Sequence, residues 1–316
     1  MKLTKVLAIA VISLGMVFAG FGCEGGEGAG WSFGSDHEYA TRDDGLEGLY
    51  ETYGFEFDHE EVMDAGVVYA ALRDGEVDVA MGYSTDGRVE EFGLMNLEDG
   101  KEFHPVYNVA PIMREDVYEA HPELEEILEE VSDILDNDIM QNLNRRVDIE
   151  DETPEEVAED FLLEHELITG EEGNGEGPTI SVGSKEYTEQ LILGQMTVIL
   201  LEEHGFDVED NTGLGGTDVL RQALLDGDVD VHWEYTGTGL MAILGHDEAI
   251  TDSEECYQVV KEEDYEENGI VWLDYSEANN TYTIMMREDD AEAMGIESIS
   301  DLAEAINAGE TPPTEK

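Results

Sequence analysis

The sequence predicts an α/β protein of two similar lobes, and two internal echoes carry that prediction. Ala71-Leu72-Arg73-Asp74-Gly75-Glu76-Val77-Asp78-Val79, followed by Tyr83-Ser84-Thr85, returns as Ala223-Leu224-Leu225-Asp226-Gly227-Asp228-Val229-Asp230-Val231, followed by Tyr235-Thr236. In both copies the Tyr stands eleven positions after the Leu. An apolar helix end, a Gly able to take positive φ, an alternating strand and an aromatic residue read as helix, turn, strand and exposed Tyr. Each lobe then aims a tyrosine from the carboxyl end of a strand, where open α/β sheets keep their ligand crevices. The second echo matches Ile112-Met113-Arg114-Glu115-Asp116 to Met285-Met286-Arg287-Glu288-Asp289, with Tyr107 and Tyr282 a few residues upstream. Both stretches read as apolar strands arriving at a polar turn.

The remaining elements follow along the chain. Lys2 and Lys5 precede the apolar run Val6 to Ala19, which ends in small residues before Cys23: a signal peptide over residues 1–22 rather than a membrane span. Gly22-Cys23 resembles a bacterial lipoprotein box, with Gly20 where Leu is usual, so Cys23 is the candidate lipidation site and residues 23–30 its tether. The alternative is an ordinary cleaved signal with an incidental Cys. With Cys23 lipidated only Cys256 remains, and no intrachain disulfide can form. Trp31-Ser32-Phe33 opens the folded part as a short strand. Leu124, Ile127, Leu128, Val131, Ile134 and Leu135 recur at helical spacing with acids between them, behind Pro122 at a helix start. A further helix is expected around Val157 to Leu163. Between Leu167 and Ile180 the composition turns to Gly170, Gly173, Gly175, Gly177 and Pro178 among acids, a linker over residues 169–179. The second half opens on the strand Ile180-Ser181-Val182 and closes on a helix from Ile299 to Ile306.

Gly183-Ser184-Lys185-Glu186-Tyr187-Thr188-Glu189-Gln190, Gly213-Leu214-Gly215-Gly216-Thr217, Glu234-Tyr235-Thr236-Gly237-Thr238-Gly239 and Asn280-Thr281-Tyr282 closely resemble the amino-terminal half of glycine betaine/choline-binding proteins. Those are the extracytoplasmic receptors of osmoprotectant ABC importers. Arg42-Asp43-Asp44-Gly45, Tyr53-Gly54-Phe55, Tyr83-Ser84-Thr85-Asp86-Gly87, Tyr107-Asn108 and Met140-Gln141-Asn142-Leu143-Asn144 resemble the same family's carboxyl-terminal half. The resemblance covers nearly all of the mature chain, with the two halves in reversed order. It implies a two-lobed type II periplasmic binding protein fold in circularly permuted order. Lobe 2 would comprise residues 31–107 and 279–316, lobe 1 residues 108–168 and 180–278, with the Gly-rich linker joining the family's usual ends. Permutation is tolerated where the break falls in an exposed loop. The rival is the end of one receptor fused to the start of another and completed by a domain-swapped partner.

A quaternary ammonium cannot donate an N–H hydrogen bond, and its charge is spread over methyl groups. A cage of aromatic faces recognises it, each face contributing about 0.5 to 2 kcal/mol once water is excluded. By resemblance the cage is Tyr83, Tyr107, Tyr235 and Tyr282, while Tyr69, Tyr187 and Tyr257 stay as packing residues. A betaine's carboxylate needs donors, and Lys185, Arg42 and Thr238 are the candidates, the Arg for its planar fork. Choline needs none of them. The resemblance further implies no enzymatic step and no cofactor. The partners would be an ABC permease with a separate ATPase subunit, and the place the outer face of the cell membrane through the lipid anchor, or the periplasm. Gly213-Leu214-Gly215-Gly216-Thr217 lacks the Gly-Lys-Ser/Thr of a phosphate loop and reads as a tight turn near the cleft. Gly82-Tyr83-Ser84-Thr85-Asp86 fails the nucleophile elbow, and the eight His residues show no metal spacing. A receptor for another small solute such as an amino acid remains the alternative; an enzyme or sensor domain on this fold would need a nucleophile, metal set or signalling module.

The charge sets the medium. The chain of 316 residues carries 79 acidic against 14 basic side chains, a formal charge of -65 spread along its length. Phosphates would be repelled, which excludes nucleic acid as a partner. Such self-repulsion is screened in molar salt, where the Debye length falls to roughly 3 Å. The composition therefore fits extracytoplasmic work in a salt-loving organism. Melting temperature is expected to rise as NaCl is raised from dilute to molar levels; a flat or falling series would contradict this.

Overall fold

The computed structural model describes residues 30–42, 44–170, 175 and 177–313. The signal segment, Cys23 and nearly all of the tether, together with residues 171–174 and 176 of the linker, lie outside the described residues.

Among the described residues ten strands form two five-stranded sheets. The first takes β1 (Ser32–Ser35), β2 (His59–Val62), β3 (Val79–Tyr83) and β4 (Leu94–Asn96) from the first part of the chain, and β10 (Tyr282–Arg287) from the second. The other contains β5 (Val109–Arg114), β6 (Thr179–Lys185), β7 (Asp207–Gly215), β8 (Val231–Tyr235) and β9 (Ile270–Trp272). The strand orders are β2-β1-β3-β10-β4 and β7-β6-β8-β5-β9, the same pattern twice. In each lobe three strands run parallel and a fourth strand enters antiparallel beside the third. The first four residues of β3 are buried and β8 is buried throughout, as central strands covered by helices on both faces require. The edge strand β2 is exposed along its whole length.

The two sequence echoes are physically one device. Helix Ala65–Arg73 ends and Gly75 turns at φ 76° before β3, while helix Thr217–Asp226 ends and Gly227 turns at φ 81° before β8. That φ favours glycine, which explains the shared Asp-Gly. Arg287, at the end of β10, donates from Nη1 to the carbonyls of Leu72 (2.6 Å) and Val77 (2.7 Å). Arg114, at the end of β5, donates from Nη1 to the Val229 carbonyl (2.5 Å) and from Nη2 to Asp230 (2.6 Å). The arginine of the second echo thus clamps the turn of the first, in both lobes. The expected polar turn after these strands is instead a helix start. Glu115–Ala120 and Glu288–Met294 are helical, and their acidic first turns suit the positive helix end.

The chain crosses between the lobes twice, after β4 and after β9. The two crossing segments meet in an antiparallel bridge, Asn108 against Asn279, and Asn280 donates its backbone N–H to the Tyr107 carbonyl at 3.1 Å. Because β10 and β5 are supplied from within the same chain, one copy completes both sheets. Light scattering in molar NaCl is expected to give the mass of a monomer; an obligate dimer would indicate exchange of a crossing strand between copies.

Candidate functional site

The cleft between the lobes holds a cavity of about 790 Å³ lined by residues of both sheets' loops, among them Asp36, Arg42, Tyr83, Thr85, Tyr187, Glu189, Thr217 and Asn280. Tyr83 and Tyr282 are direct register partners on β3 and β10, with ring centroids 5.4 Å apart. Tyr235 ends β8 opposite Val109, the first residue of β5, and Tyr107 lies just before that strand. Tyr107 meets Tyr282 edge-on at 5.2 Å. Gly237 permits this approach, since a Cβ there would come within 2.7 Å of the Tyr107 ring.

The four expected tyrosines belong to one continuous aromatic array, but it has a further member. Tyr187 stacks on Tyr83 at 5.8 Å and 7°, and on Tyr235 at 6.4 Å and 23°. It stands at the start of the helix Thr188–Glu203 and lines the cavity, as does Tyr83. Tyr107, Tyr235 and Tyr282 lie behind that lining and are buried. Burial pushes the phenol pKa of Tyr83, Tyr187 and Tyr235 well up, so all three are neutral rings with a hydroxyl to donate.

Two of those hydroxyls end on carboxylates. Tyr83 donates to Asp36 at 2.8 Å, and Tyr235 donates to Glu189 at 2.8 Å. Glu189, 3% exposed, also accepts from Thr85 Oγ1 (2.6 Å), Asn144 Nδ2 (2.8 Å) and Asn280 Nδ2 (2.9 Å). Thr85 follows β3 while Glu189 follows β6, so this carboxylate ties the lobes together beneath the cavity. Burial raises the carboxyl pKa of both Asp36 and Glu189 against these hydrogen bonds. A second tie is made by Glu38, whose Oε1 accepts from the Thr217 backbone N–H at 2.7 Å. Burial opposes its charge, but Lys185, that N–H and Arg42 together hold its pKa below the usual value.

The three expected carboxylate donors are placed differently. Arg42 lines the cavity with its guanidinium committed to Asp44, Nε to Oδ1 at 2.7 Å and Nη2 to Oδ2 at 2.6 Å, and lies 5.6 Å over the Tyr282 ring. Lys185 is buried and donates to Glu234 at 2.7 Å, with its Nζ 5.4 Å from the Tyr235 ring centroid. Thr238, on the short helix Thr236–Thr238, is buried outside the cavity lining. The Gly-rich segment at Gly213 is the end of β7 and the cap of the next helix rather than an isolated tight turn, and its Gly215, Gly216 and Thr217 reach the cavity. No group of three or more metal-ligating side chains occurs among the described residues.

The profile of the substrate-binding domain of ABC-type glycine betaine transport systems matches residues 26–164 and 178–314. The chain belongs to this family. It is 43% identical over 146 residues to a glycine-betaine-binding protein of Pseudomonas aeruginosa, covering 45% of this chain and 47% of that one. It is 38% identical over 133 residues to the glycine betaine-binding protein YehZ of Escherichia coli, covering 42% and 44%. It is 33% identical over 138 residues to the carnitine transport binding protein OpuCC of Listeria monocytogenes, covering 43% and 45%. The chain spans about half the length of the curated relatives it matches. The family is one of transport receptors, and the fold is its two-lobed α/β architecture.

Sequence reasoning missed Tyr187, Glu189 and Asp36. Tyr187 lies outside both echoes, although it stands inside the Gly-Ser-Lys segment that carries the family likeness. The two acids were hidden among 79; only their burial distinguishes them. Replacing Glu189 by Ala strands four buried donors, so Glu189→Ala is expected to lower unfolding free energy by about 3 kcal/mol, read from urea titrations in molar NaCl.

Proposed function

We propose that this protein is the extracytoplasmic receptor of an ABC importer and captures a quaternary-ammonium compatible solute in its interlobe cleft, as part of osmoprotection. The single observation that carries this reading is the aromatic array of Tyr83, Tyr187, Tyr235, Tyr107 and Tyr282 at the meeting of the lobes. Ring faces attract a methylated cation without asking it for hydrogen bonds, and a desolvated contact of this kind is little weakened by salt. Tyr83 and Tyr187 line the cavity, with Tyr235, Tyr107 and Tyr282 buried behind them. Solute bound between the lobes would hold them closed, and the closed form would dock on a membrane permease with a separate ATPase. Cys23 would anchor the receptor to the membrane's outer face.

The reversed order of the halves supports a circular permutation of the family's chain. Both parts match the family, yet each relative aligns with only 42 to 45% of this chain, as expected when an alignment cannot run past the break. The break is cheap in space as well as in sequence. Trp31 Nε1 donates to the Glu310 carbonyl at 2.8 Å, so the segments that the family joins directly still lie side by side.

Calorimetry in molar NaCl with glycine betaine, choline, carnitine and proline betaine is expected to show binding of at least one. Tyr83→Ala and Tyr187→Ala should each weaken it by about 10-fold, in the range of one lost cation-π face, while Tyr187→Phe should keep most of the affinity. Binding of an amino acid in place of the whole panel would refute the reading.

A further inference from the structure

Resting on the quaternary-ammonium reading, the geometry points to a narrower ligand class: the cleft selects a ligand of net positive charge, an amino alcohol of the choline type, over a zwitterionic betaine. We infer this from the pairing of the charged groups around the cavity.

Two carboxylates without a cation partner flank the row of stacked rings. Asp36 accepts from Tyr83 at one end and Glu189 from Tyr235 at the other, and among the described residues neither makes an ion pair within 4.0 Å. Glu189 has four hydrogen-bond partners, the Asn144 and Asn280 amide N–H groups and the Thr85 and Tyr235 hydroxyls, all of them neutral. Asp36 receives the Tyr39 backbone N–H (2.8 Å) as well as the Tyr83 hydroxyl. Each is therefore a buried carboxyl that touches neutral groups and no cation, and burial raises its pKa. A cation in the cavity beside the rings would favour the ionised form of both.

Nothing comparable awaits an anion. Two arginines and the exposed His37 line the cavity against eight acids, Asp36, Glu38, Asp64, Asp86, Asp148, Glu186, Glu189 and Asp218. Arg42 is held bidentately by Asp44, and Arg88 is held by Asp86 at 2.5 Å and Asp148 at 3.2 Å. Lys185 is buried against Glu234. Drawing any of these onto a ligand carboxylate exchanges one carboxylate for another and leaves the first buried and unpaired, which is unfavourable. The amide at the start of the helix Thr217–Asp226 is already taken by Glu38. The helix Thr188–Glu203 also opens on the cavity, but the Glu189 charge in its own first turn repels an anion there. A hydroxyl in place of the carboxylate meets none of these penalties, and the surrounding acids can accept its proton.

Choline and glycine betaine are a matched pair for the test, since both carry the trimethylammonium and differ in the CH₂OH or carboxylate end. Calorimetry on the whole protein in molar NaCl is expected to give choline an affinity at least 10-fold above glycine betaine. Glu189→Gln and Asp36→Asn keep the shape but remove one charge each, and each should weaken choline more than glycine betaine, narrowing the ratio. Equal or tighter binding of glycine betaine by the unaltered protein overturns the inference while leaving the quaternary-ammonium reading intact. Failure of both ligands, with an amino acid bound instead, overturns that reading and the inference with it. The decisive ratio needs no variant, so misfolding of either substitution leaves the test standing.

Discussion

Each sheet of this protein is finished by a strand that arrives from the other lobe, and most of the structure follows from that. β10 enters between β3 and β4, and β5 between β8 and β9. At its far end each entering strand carries an arginine that clamps the preceding helix-turn-strand unit through backbone carbonyls. At its near end each lies beside a tyrosine, Tyr282 opposite Tyr83 and Val109 opposite Tyr235, with Tyr107 two residues before Val109. The same pairing that closes the sheet therefore delivers aromatic residues to the line where the lobes meet. The crossing segments bridge each other at Asn108 and Asn279, so a hinge motion must pass through the backbone next to the rings. Ligand contact and lobe position are coupled by covalent continuity rather than by a long chain of side chains.

The electrostatics divide by depth. Most of the acids sit on solvated faces, where molar salt reduces their mutual repulsion to a short-range term. The basic residues are spent on structure: all eight described arginines are ion-paired. Arg221 and Asp264 illustrate the buried kind, a pair shared with the Trp272 indole N–H at 2.9 Å. In the cleft, by contrast, Asp36 and Glu189 are buried acids satisfied by neutral donors alone. That difference is chemically meaningful because a buried charge is not screened, whereas the surface field is.

The lobes were legible because a duplicated unit is a strong signal. A repeated Leu-to-Tyr spacing fixes a helix end, a positive-φ glycine and a strand, and the structure adds only that Arg114 and Arg287 bind those very turns. The ring array was legible in part. Tyr83, Tyr107, Tyr235 and Tyr282 are adjacent to strand ends, where periodicity predicts direction. Tyr187 precedes a helix, where direction is set by the cap and by the opposing lobe, neither of which a single sequence displays. Lys185 and Arg42 stand out by rarity in so acidic a chain, but rarity does not reveal a partner. Whether a base is free or paired depends on Glu234 and Asp44, which are two more acids among many until their burial is known.

The order of the two halves matters little to the forces just described. The contacts described in the cleft are made by the crossing segments, β3, β8, β10 and the helices around them, and none of them involves a residue of the Gly-rich linker. The junctions themselves lie at the far surfaces. Trp31 and Glu310 touch on one lobe; on the other, Thr169 and Gly170 donate to Glu203 at 2.6 and 3.1 Å while Gly177 donates to the Gly205 carbonyl at 2.9 Å. Residues 170 and 177 thus rest against the same helix end, a short distance apart. Closing such a gap costs little entropy, growing only with the logarithm of loop length. A chain that reads its halves in either order would meet the same register at β10 and β5, and so the same rings and the same buried carboxyls.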